Sequence, residues 1–267
     1  MLTVERPFDT VFVRPPGESY RSCVSSNPNR DSIDVGLARE QHEEYVSVLR
    51  SCGIKVKKLE PLPEFPDSVF VQDPGIISKS GAVICRFREK SRAGEVRVLT
   101  EELKAQHLTK DYEMKFISNP GTLEAGDILI TPKKFFIGQS KRSNQNGIRQ
   151  FANIAKNRSV EVVKTQLLHL LAGCTYLSSQ TILIAPSCIS VQSLPGFHYV
   201  QVPSEEAYAA NALYVGDGRV VIPSGFPRTR SKLIEESYRP EEVNLSEFQK
   251  GDGSVTCLCS PLYESVL

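Results

Sequence analysis

Short runs of β-branched, aromatic or leucine residues recur along the chain, and each run ends at proline, glycine or a charged turn residue. The first four runs are about 54 to 59 residues apart, and the last spacing is somewhat shorter. Their composition and length predict buried strands at residues 11–13, 69–71, 128–130, 182–184 and 220–222. A period of this length is typical of one supersecondary unit per repeat, so the chain is predicted to contain about five units.

Between these runs lie segments with helical periodicity, each with one apolar stripe that would pack on a sheet. These segments are 37–50, 95–106, 145–156 and 228–238. After the first of them, Gly53 suits the position that follows a helix C-terminus, and the strand-like residues 54–56 come next. The predicted unit is therefore strand, helix, strand.

Five such units, none of which buries its apolar face alone, either close into a ring or stack as a doubly wound sheet. The ring is favoured because it removes exposed sheet edges, and because neither GxGxxG nor GxxxxGK[ST] occurs in the sequence. No linker-like or low-complexity segment divides the chain. The predicted fold is α/β, a five-bladed α/β propeller built from five pseudo-repeats, in a single domain over residues 1–267.

The charge balance argues against an extended polyanion as a partner. The chain has 32 Lys+Arg and 31 Asp+Glu, a formal net charge of +1, so it has no general field that attracts nucleic acid or anionic lipid. Its first thirteen residues lack the pattern of a secretory signal, and no apolar stretch reaches the roughly 20 residues of a membrane span. We expect neither nucleic acid nor membrane as a partner.

The seven cysteines include no CxxC pair and no zinc-finger spacing. Scattered cysteines in odd number indicate reduced, intracellular usage in which most thiols are small buried hydrophobic groups, and we expect a cytoplasmic protein. Cys257 is a candidate nucleophile because an Asp-Gly turn and a strand-like segment precede it near the chain end. Cys259 lies two residues further on, so geometry alone does not separate the two thiols, and a terminal strand with two core cysteines is the alternative.

Other candidate residues carry charge or a titratable ring beside predicted strands. His169 lies among leucines, where a core histidine is the commoner explanation, although apolar surroundings would lower its pKa and suit a proton shuttle. Asp73 and Glu124 flank apolar runs, where burial is costly unless the carboxylates are paired or face a polar cleft. Arg92 and Arg142 have forked guanidinium groups that suit a small carboxylate, and exposed loop positions are the alternative.

In these residues the sequence resembles the dimethylarginine dimethylaminohydrolase family of the guanidine-modifying pentein superfamily. The resemblance covers nearly the whole chain, and its anchors are specific when taken together and in order. The anchors are residues 38–42 with 45–46, 65–73, 122–127, 138–145, 168–170, 209–211 and 252–257. The fold that the resemblance implies, a five-bladed α/β propeller with its site at the axis, agrees with the repeat in the strands.

The resemblance also implies roles for individual residues. Cys257 matches the nucleophile, His169 the general acid and base, and Glu124 and Asp73 the carboxylates at the guanidinium end of the substrate. Further matches implied for substrate binding are Asp67 near the α-amino group, Arg92 and Arg142 at the α-carboxylate, Gln72, and Asp252. Residues 17–29 match a lid over the pocket. No metal ion and no organic cofactor has a part in the implied scheme.

The implied reaction is hydrolysis of N-ω-methylated arginine to citrulline and an alkylamine through a covalent thiouronium on cysteine. The partner is then a small guanidino amino acid, and a homodimer is compatible with the sequence. Gln72 replaces the usual glutamate of the family, which leaves arginine deiminase as an alternative. Leu171 stands where deiminases have aspartate, which leaves apolar room for N-methyl groups and favours methylated arginine. An amidinotransferase is disfavoured by the shortness of the chain, and a ribosome-binding propeller by the presence of the site residues.

Overall fold

The computed structural model describes residues 6–105, 112–155 and 158–264. Residues 1–5 of the predicted non-secretory N-terminus, and residues 106 and 156 at the ends of two predicted helices, lie outside these ranges. The strands are β1 (Phe8–Val13), β2 (Lys55–Lys58), β3 (Gly75–Ser78), β4 (Gly81–Ile84), β5 (Glu113–Phe116), β6 (Ile128–Ile130), β7 (Lys134–Gln139), β8 (Ser159–Lys164), β9 (Cys174–Tyr176), β10 (Thr181–Ile184), β11 (His198–Gln201), β12 (Leu213–Gly216), β13 (Arg219–Pro223), β14 (Arg239–Val243) and β15 (Ser260–Tyr263). The α-helices are α1 (Val35–Ser51), α2 (Ala93–Ala105), α3 (Gln145–Ile154), α4 (Pro227–Glu235) and α5 (Ser246–Lys250). Within the described ranges no helix has both the length and the apolar character needed to cross a membrane.

The strands form five units with one pattern. In each unit two antiparallel strands are followed by a crossover and a third strand that runs parallel to the second. A parallel pair requires such a crossover, which is an α-helix in four units and a short 3₁₀ segment in the unit of β9, β10 and β11. The units are β3-β4-β5, β6-β7-β8, β9-β10-β11, β12-β13-β14 and β15-β1-β2.

The fifth unit joins the two ends of the chain, because β15 pairs with β1. The same strand β15 also pairs in parallel with β3, which links the fifth unit to the first. Strands of consecutive units are in contact as well, as β6 is with β9 and β9 with β12. The mixed α/β class is confirmed, and these contacts are compatible with a closed ring of five units. The single domain over residues 1–267 stays a prediction.

Four of the five predicted strand runs lie in strands, namely in β1, β6, β10 and β13. The prediction of a strand at residues 69–71 is wrong, because these residues are turns. Successive turn hydrogen bonds join the Phe70 amide to the Asp67 carbonyl and the Asp73 amide to the Phe70 carbonyl. Val69, Phe70 and Val71 are buried in the turn. A short apolar run has the same sequence pattern in a buried turn as in a buried strand, so the pattern did not distinguish the two.

Helix α1 shows how the crossovers support the loops at the ends of the strands. The helix begins after Asp34, whose side chain accepts a hydrogen bond from the Leu37 amide, and it is followed by Gly53 at φ +79°. Its inward face includes Tyr45, which is fully buried. The Tyr45 hydroxyl donates to the Val255 carbonyl at 2.9 Å, so the helix holds the segment that carries Cys257.

A similar contact supports the second unit, and it gives a test of the core. Phe151 on α3 is fully buried and packs edge-to-face on Phe135 of β7, with 5.2 Å between ring centroids. We expect Phe151→Ala to lower the free energy of unfolding by about 3–5 kcal/mol, because the neighbours only partly fill the cavity. Urea unfolding followed by circular dichroism measures this.

Phe116 on the edge strand β5 is the matched control, because its side chain is 52% exposed. Phe116→Ala should change the free energy of unfolding by no more than about 0.5 kcal/mol. Equal losses for the two variants would contradict the described packing of α3.

Candidate active site

One residue from each unit lies at the same place in the repeat, a few residues before the first strand of that unit. Asp73 precedes β3, Glu124 precedes β6, His169 precedes β9 and Cys257 precedes β15. In the fourth unit this place is taken by Asn211, before β12. The backbone joins neighbouring members, since the Ala125 amide donates to the Asp73 carbonyl and the Gln72 amide to the Cys257 carbonyl. The repeat thus brings together side chains that are far apart in sequence.

His169 lies between two carboxylates. Its Nε2 is 2.8 Å from Glu124 Oε2, and its Nδ1 is 3.8 Å from Asp73 Oδ1. Burial by itself would lower the pKa of His169, but the charges of Asp73 and Asp127 and the hydrogen bond with Glu124 raise that pKa to about 9. The expectation of a lowered pKa is therefore wrong, because the effect of the nearby carboxylates outweighs that of burial. At neutral pH the ring carries a proton.

Gly126 leaves the space in which this ring and Asp73 meet. A Cβ at this position would come 2.8 Å from both Asp73 Oδ1 and His169 Nδ1. Any larger residue would therefore displace one of the two groups.

Asp73 is held by a buried arginine. Arg92 Nη1 donates to Asp73 Oδ2 at 2.7 Å, while its Nε and Nη2 both donate to Glu95. Burial alone would raise the pKa of Asp73, but the charges of His169 and Arg92 hold that pKa below its ordinary value. Arg92, predicted to bind the substrate carboxylate, is in this structure engaged mainly with side chains of the protein.

Three polar atoms beside His169 are buried and have no hydrogen-bond partner among the described residues. They are Asp73 Oδ1, Glu124 Oε1 and Arg142 Nη1. Arg142 Nη1 lies 3.9 Å from Glu124 Oε1, which is beyond hydrogen-bond distance. Buried polar groups are nearly always paired, so this cluster offers two acceptors and one donor to a bound molecule.

Cys257 lies in the short 3₁₀ helix Thr256–Leu258, with its Sγ 3.8 Å from Asn211 Nδ2. Asn211 Oδ1 accepts hydrogen bonds from the amide and the hydroxyl of Thr256, so this amide side chain fixes the segment. Burial raises the pKa of the Cys257 thiol to about 11, and the charge of Asp73 adds to the effect. Cys259 is fully buried in the core with Tyr45, which distinguishes the two thiols that sequence alone left open. Asn211 was not identified as a site residue from the sequence. Its position just before β12, which matches the positions of the other four residues in their units, is the signal that indicates it.

Two predicted substrate-binding carboxylates contact the predicted lid. Both oxygens of Asp67 accept from the Val24 amide, at 3.1 and 3.2 Å, and Asp252 Oδ2 accepts from the amide and the hydroxyl of Ser26. Burial raises the pKa of Asp67, and the charge of Arg92 opposes this. Val24 and Ser26 of the predicted lid are therefore held by two of the predicted substrate-binding carboxylates.

A large cavity of about 1380 Å³ adjoins these loops, but none of the predicted catalytic side chains lines it. Gln72, Ala125, Leu171 and Thr256 line it instead, and Gln72 Oε1 is buried without a partner in the described parts of the chain. Leu171 also packs in an apolar cluster that includes Phe136. The candidate site is therefore the cluster beside His169 and not this cavity, because the cluster holds the predicted catalytic groups together with unpartnered polar atoms.

Asp73, Glu124 and His169 are also the one group of potential metal ligands found among the described residues, with ligand atoms within 4.8 Å of one another. A metal ion needs the free electron pair of a neutral imidazole. Because His169 Nε2 is bound to Glu124 and the pKa of the ring is raised to about 9, the site fits a planar hydrogen-bond donor better than a metal.

Comparison with known proteins gives one family. The family model described as N,N dimethylarginine dimethylhydrolase, eukaryotic, matches residues 24–264. The N(G),N(G)-dimethylarginine dimethylaminohydrolase of Pseudomonas aeruginosa is 36% identical over 254 residues, which cover 94% of this chain and 98% of that protein. The protein of the same name from Streptomyces coelicolor is 28% identical over 261 residues, which cover 97% and 98%.

Solved structures are similar over nearly the whole chain. A cysteine-to-serine variant of the Pseudomonas aeruginosa enzyme complexed with citrulline has a TM-score of 0.88 at 36% identity, with coverage of 96% of this chain and 99% of that chain. The N-terminal domain of ArgZ, a cyanobacterial arginine dihydrolase bound to product, has a TM-score of 0.86 at 22% identity, with coverage of 97% and 98%. The second likeness shows the fold alone.

The raised pKa of Cys257 gives a test of the site without any substrate. We expect alkylation of Cys257 by iodoacetamide to accelerate about tenfold per pH unit between about pH 7 and about pH 10, because only the thiolate reacts. Peptide mass spectrometry at several times and pH values measures the rate at this residue.

Cys188, which is exposed, is the reference thiol in the same digests. A rate at Cys257 that is already constant near neutral pH would show a preformed thiolate and contradict the described environment.

Proposed function

The chain belongs to the N,N-dimethylarginine dimethylhydrolase family, and we propose that it hydrolyses N-ω-methylated arginine to citrulline and an alkylamine. The family model and the Pseudomonas aeruginosa relative each cover most of the chain. The citrulline in the related structure is the product that this reaction releases. The assignment of roles to individual residues is part of the proposal.

The observation that carries the proposal is the pair of unpartnered carboxylate oxygens beside His169. Asp73 Oδ1 and Glu124 Oε1 are buried acceptors without donors among the described residues. A guanidinium is planar, positive and rich in N–H donors, so it satisfies both oxygens and brings a compensating charge. Burial and the charge of Asp73 raise the pKa of Cys257, and we propose that this thiol attacks the guanidinium carbon.

The first half of the reaction forms a covalent intermediate. The cationic substrate stabilises the Cys257 thiolate next to it, and the thiol proton passes to solvent. The thiolate sulfur forms a bond to the guanidinium carbon, and the electron pair of one C–N bond leaves with the amine. Protonated His169, whose pKa is raised to about 9, donates its proton to that amine, so a neutral alkylamine departs and an S-alkylthiouronium remains.

The second half uses the same imidazole as a base. His169 has lost its proton to the amine, so it accepts one from a water molecule that attacks the thiouronium carbon. The C–S bond then breaks with its electron pair returning to the Cys257 sulfur, and the remaining hydroxyl proton of the intermediate passes to that thiolate, so neutral citrulline is released and the thiol is restored. Glu124, at 2.8 Å from Nε2, stabilises the imidazolium in both halves.

The rest of the substrate is proposed to contact charged groups around this centre. Arg142 has a buried Nη1 without an acceptor in the described residues, which suits one oxygen of the α-carboxylate. Arg92 donates to Asp73 and so acts on the substrate indirectly. A direct contact between Arg92 and the α-carboxylate of the substrate stays a prediction. Asp67 and Asp252 would join the α-amino group to the lid through Val24 and Ser26.

We propose methylated arginine ahead of arginine as the substrate. Gln72 lacks the negative charge of the glutamate that is usual in the family, and Leu171 is apolar and packs among apolar side chains. Leu171 offers no acceptor to an additional N–H and favours an N-methyl group, whereas Gln72 leaves arginine as the alternative substrate. The free state of all seven cysteines supports a proposed cytoplasmic location, where thiols stay reduced.

Citrulline release tests the proposal. We expect the purified protein to form citrulline from asymmetric dimethylarginine with a kcat/KM at least about tenfold above that for arginine, because a pocket built for a methyl group gains about 1–3 kcal/mol from it. Colorimetric citrulline assays measure both substrates. If neither substrate yields citrulline, the proposed function is contradicted. If arginine is the preferred substrate, the deiminase reaction replaces the proposed one.

Cys257→Ser and Cys259→Ser are matched variants for the same assay, because they make one chemical change two residues apart. The first should abolish turnover, since a serine hydroxyl is a far weaker nucleophile than a thiolate. The second removes a buried core thiol and should leave most of the turnover. The reverse pattern would assign the nucleophile to Cys259.

A further inference from the structure

Asp127 is a fully buried carboxylate that accepts hydrogen bonds from two separate loops. Its Oδ2 accepts from the hydroxyls of Ser140 and Ser143, both at 2.6 Å. Its Oδ1 accepts from the Leu170 amide at 2.8 Å. No arginine or lysine of the described residues forms an ion pair with it.

Each of these donors is next to a residue of the proposed site. Leu170 directly follows His169. Ser140 accepts hydrogen bonds from the Arg142 and Ser143 amides, and the Ser143 hydroxyl accepts one from the Glu124 amide at 3.1 Å. Asp127 is therefore connected, through one intervening residue in each case, to the backbone of His169, Glu124 and Arg142.

The surroundings of Asp127 are shaped for a carboxylate. A Cβ at Gly138 would overlap Asp127 Oδ1 and the Leu170 side chain, so the neighbouring strand leaves space for this group. Burying a carboxylate that has no ion pair with arginine or lysine costs free energy that an apolar residue of similar size would avoid. Packing alone therefore gives no reason for an acid at this position.

We propose that Asp127 is a positioning residue for the hydrolysis, which fixes the backbone of His169, Glu124 and Arg142 relative to one another and supplies negative charge to the His169 imidazole. Asp127 does not touch the reacting atoms in this scheme. The inference rests on the proposed function for its kinetic readout, and its effect on His169 is measurable without turnover.

The charge of Asp127 acts on His169 together with two other acids. Asp73, Glu124 and Asp127 all raise the pKa of the ring, and burial opposes them. Burial raises the pKa of Asp127 itself to about 6, and His169 and the two serines oppose this. Above that pH Asp127 is ionised, so removing its charge should shift the titration of His169 to lower pH.

Asp127→Asn tests the inference because it keeps the shape of the side chain and removes the charge. We expect kcat to fall by about ten- to one-hundred-fold, with a smaller rise in KM, as is typical when a group that orients a catalytic residue is lost. The alkaline limb of the kcat profile, where His169 loses its proton, should move to lower pH. An NMR titration of the His169 ring should show the same shift in the absence of substrate.

Glu206→Gln is the matched control. Glu206 is a buried carboxylate that also accepts three hydrogen bonds, from the Arg228 and Thr229 amides and the Thr229 hydroxyl at the start of α4. Its substitution should leave kcat, the pH profile and the His169 titration unchanged. A similar loss of activity in both variants would reduce the role of Asp127 to general stability.

Ser143→Ala keeps the inference testable if the Asp127 variant does not fold. This change removes one donor to Asp127 and the acceptor for the Glu124 amide, and it should lower kcat by a smaller factor than Asp127→Asn. Folded variants with wild-type kcat and an unshifted His169 titration would overturn the inference. Wild-type protein that releases no citrulline would contradict the proposed function instead, and the NMR titration would still decide the effect of Asp127.

Discussion

The hydrogen bond between His169 and Glu124 is the interaction on which the rest of the site depends. An imidazole that is buried in this way would ordinarily be neutral at neutral pH, and the adjacent carboxylates reverse that preference and raise its pKa to about 9. The ring therefore enters the proposed reaction as an acid. The same carboxylates keep one free oxygen each, so the groups that charge the ring also receive the guanidinium.

The five-fold repeat explains how so many polar groups come to lie together. Each unit has a loop just before its first strand, and the five loops contribute Asp73, Glu124, His169, Asn211 and Cys257. None of these loops has to reach across the molecule, because the arrangement of the units brings them together. Cross-links such as the one from Asp127 to Leu170 then set the distances between loops from different units. The site is consequently built on short, well-supported segments, which is what precise positioning of catalytic groups requires.

The fold was predictable where the apolar period was unambiguous, as in β1, β6, β10 and β13, and in the helices, the first of which is followed by Gly53. The period did not distinguish a buried turn from a strand at residues 69–71, and it missed the antiparallel pair of strands in each unit. Site residues with reactive side chains were predictable from their chemistry and from the family resemblance. Asn211 and Asp127 were not, because an amide or an acid beside a strand has the same sequence signal whether it supports a site or caps a turn. The engagement of Arg92 with Glu95 likewise depends on distances that only the fold determines.

The central claim is that Cys257 forms a covalent bond with the guanidino carbon while His169 acts first as acid and then as base. Rapid acid quenching of the protein during turnover of asymmetric dimethylarginine, followed by peptide mass spectrometry, tests this directly. We expect an adduct on the peptide that contains Cys257, with the mass of the substrate less dimethylamine. Citrulline formation with no adduct on Cys257, or with the adduct on another residue, would contradict it.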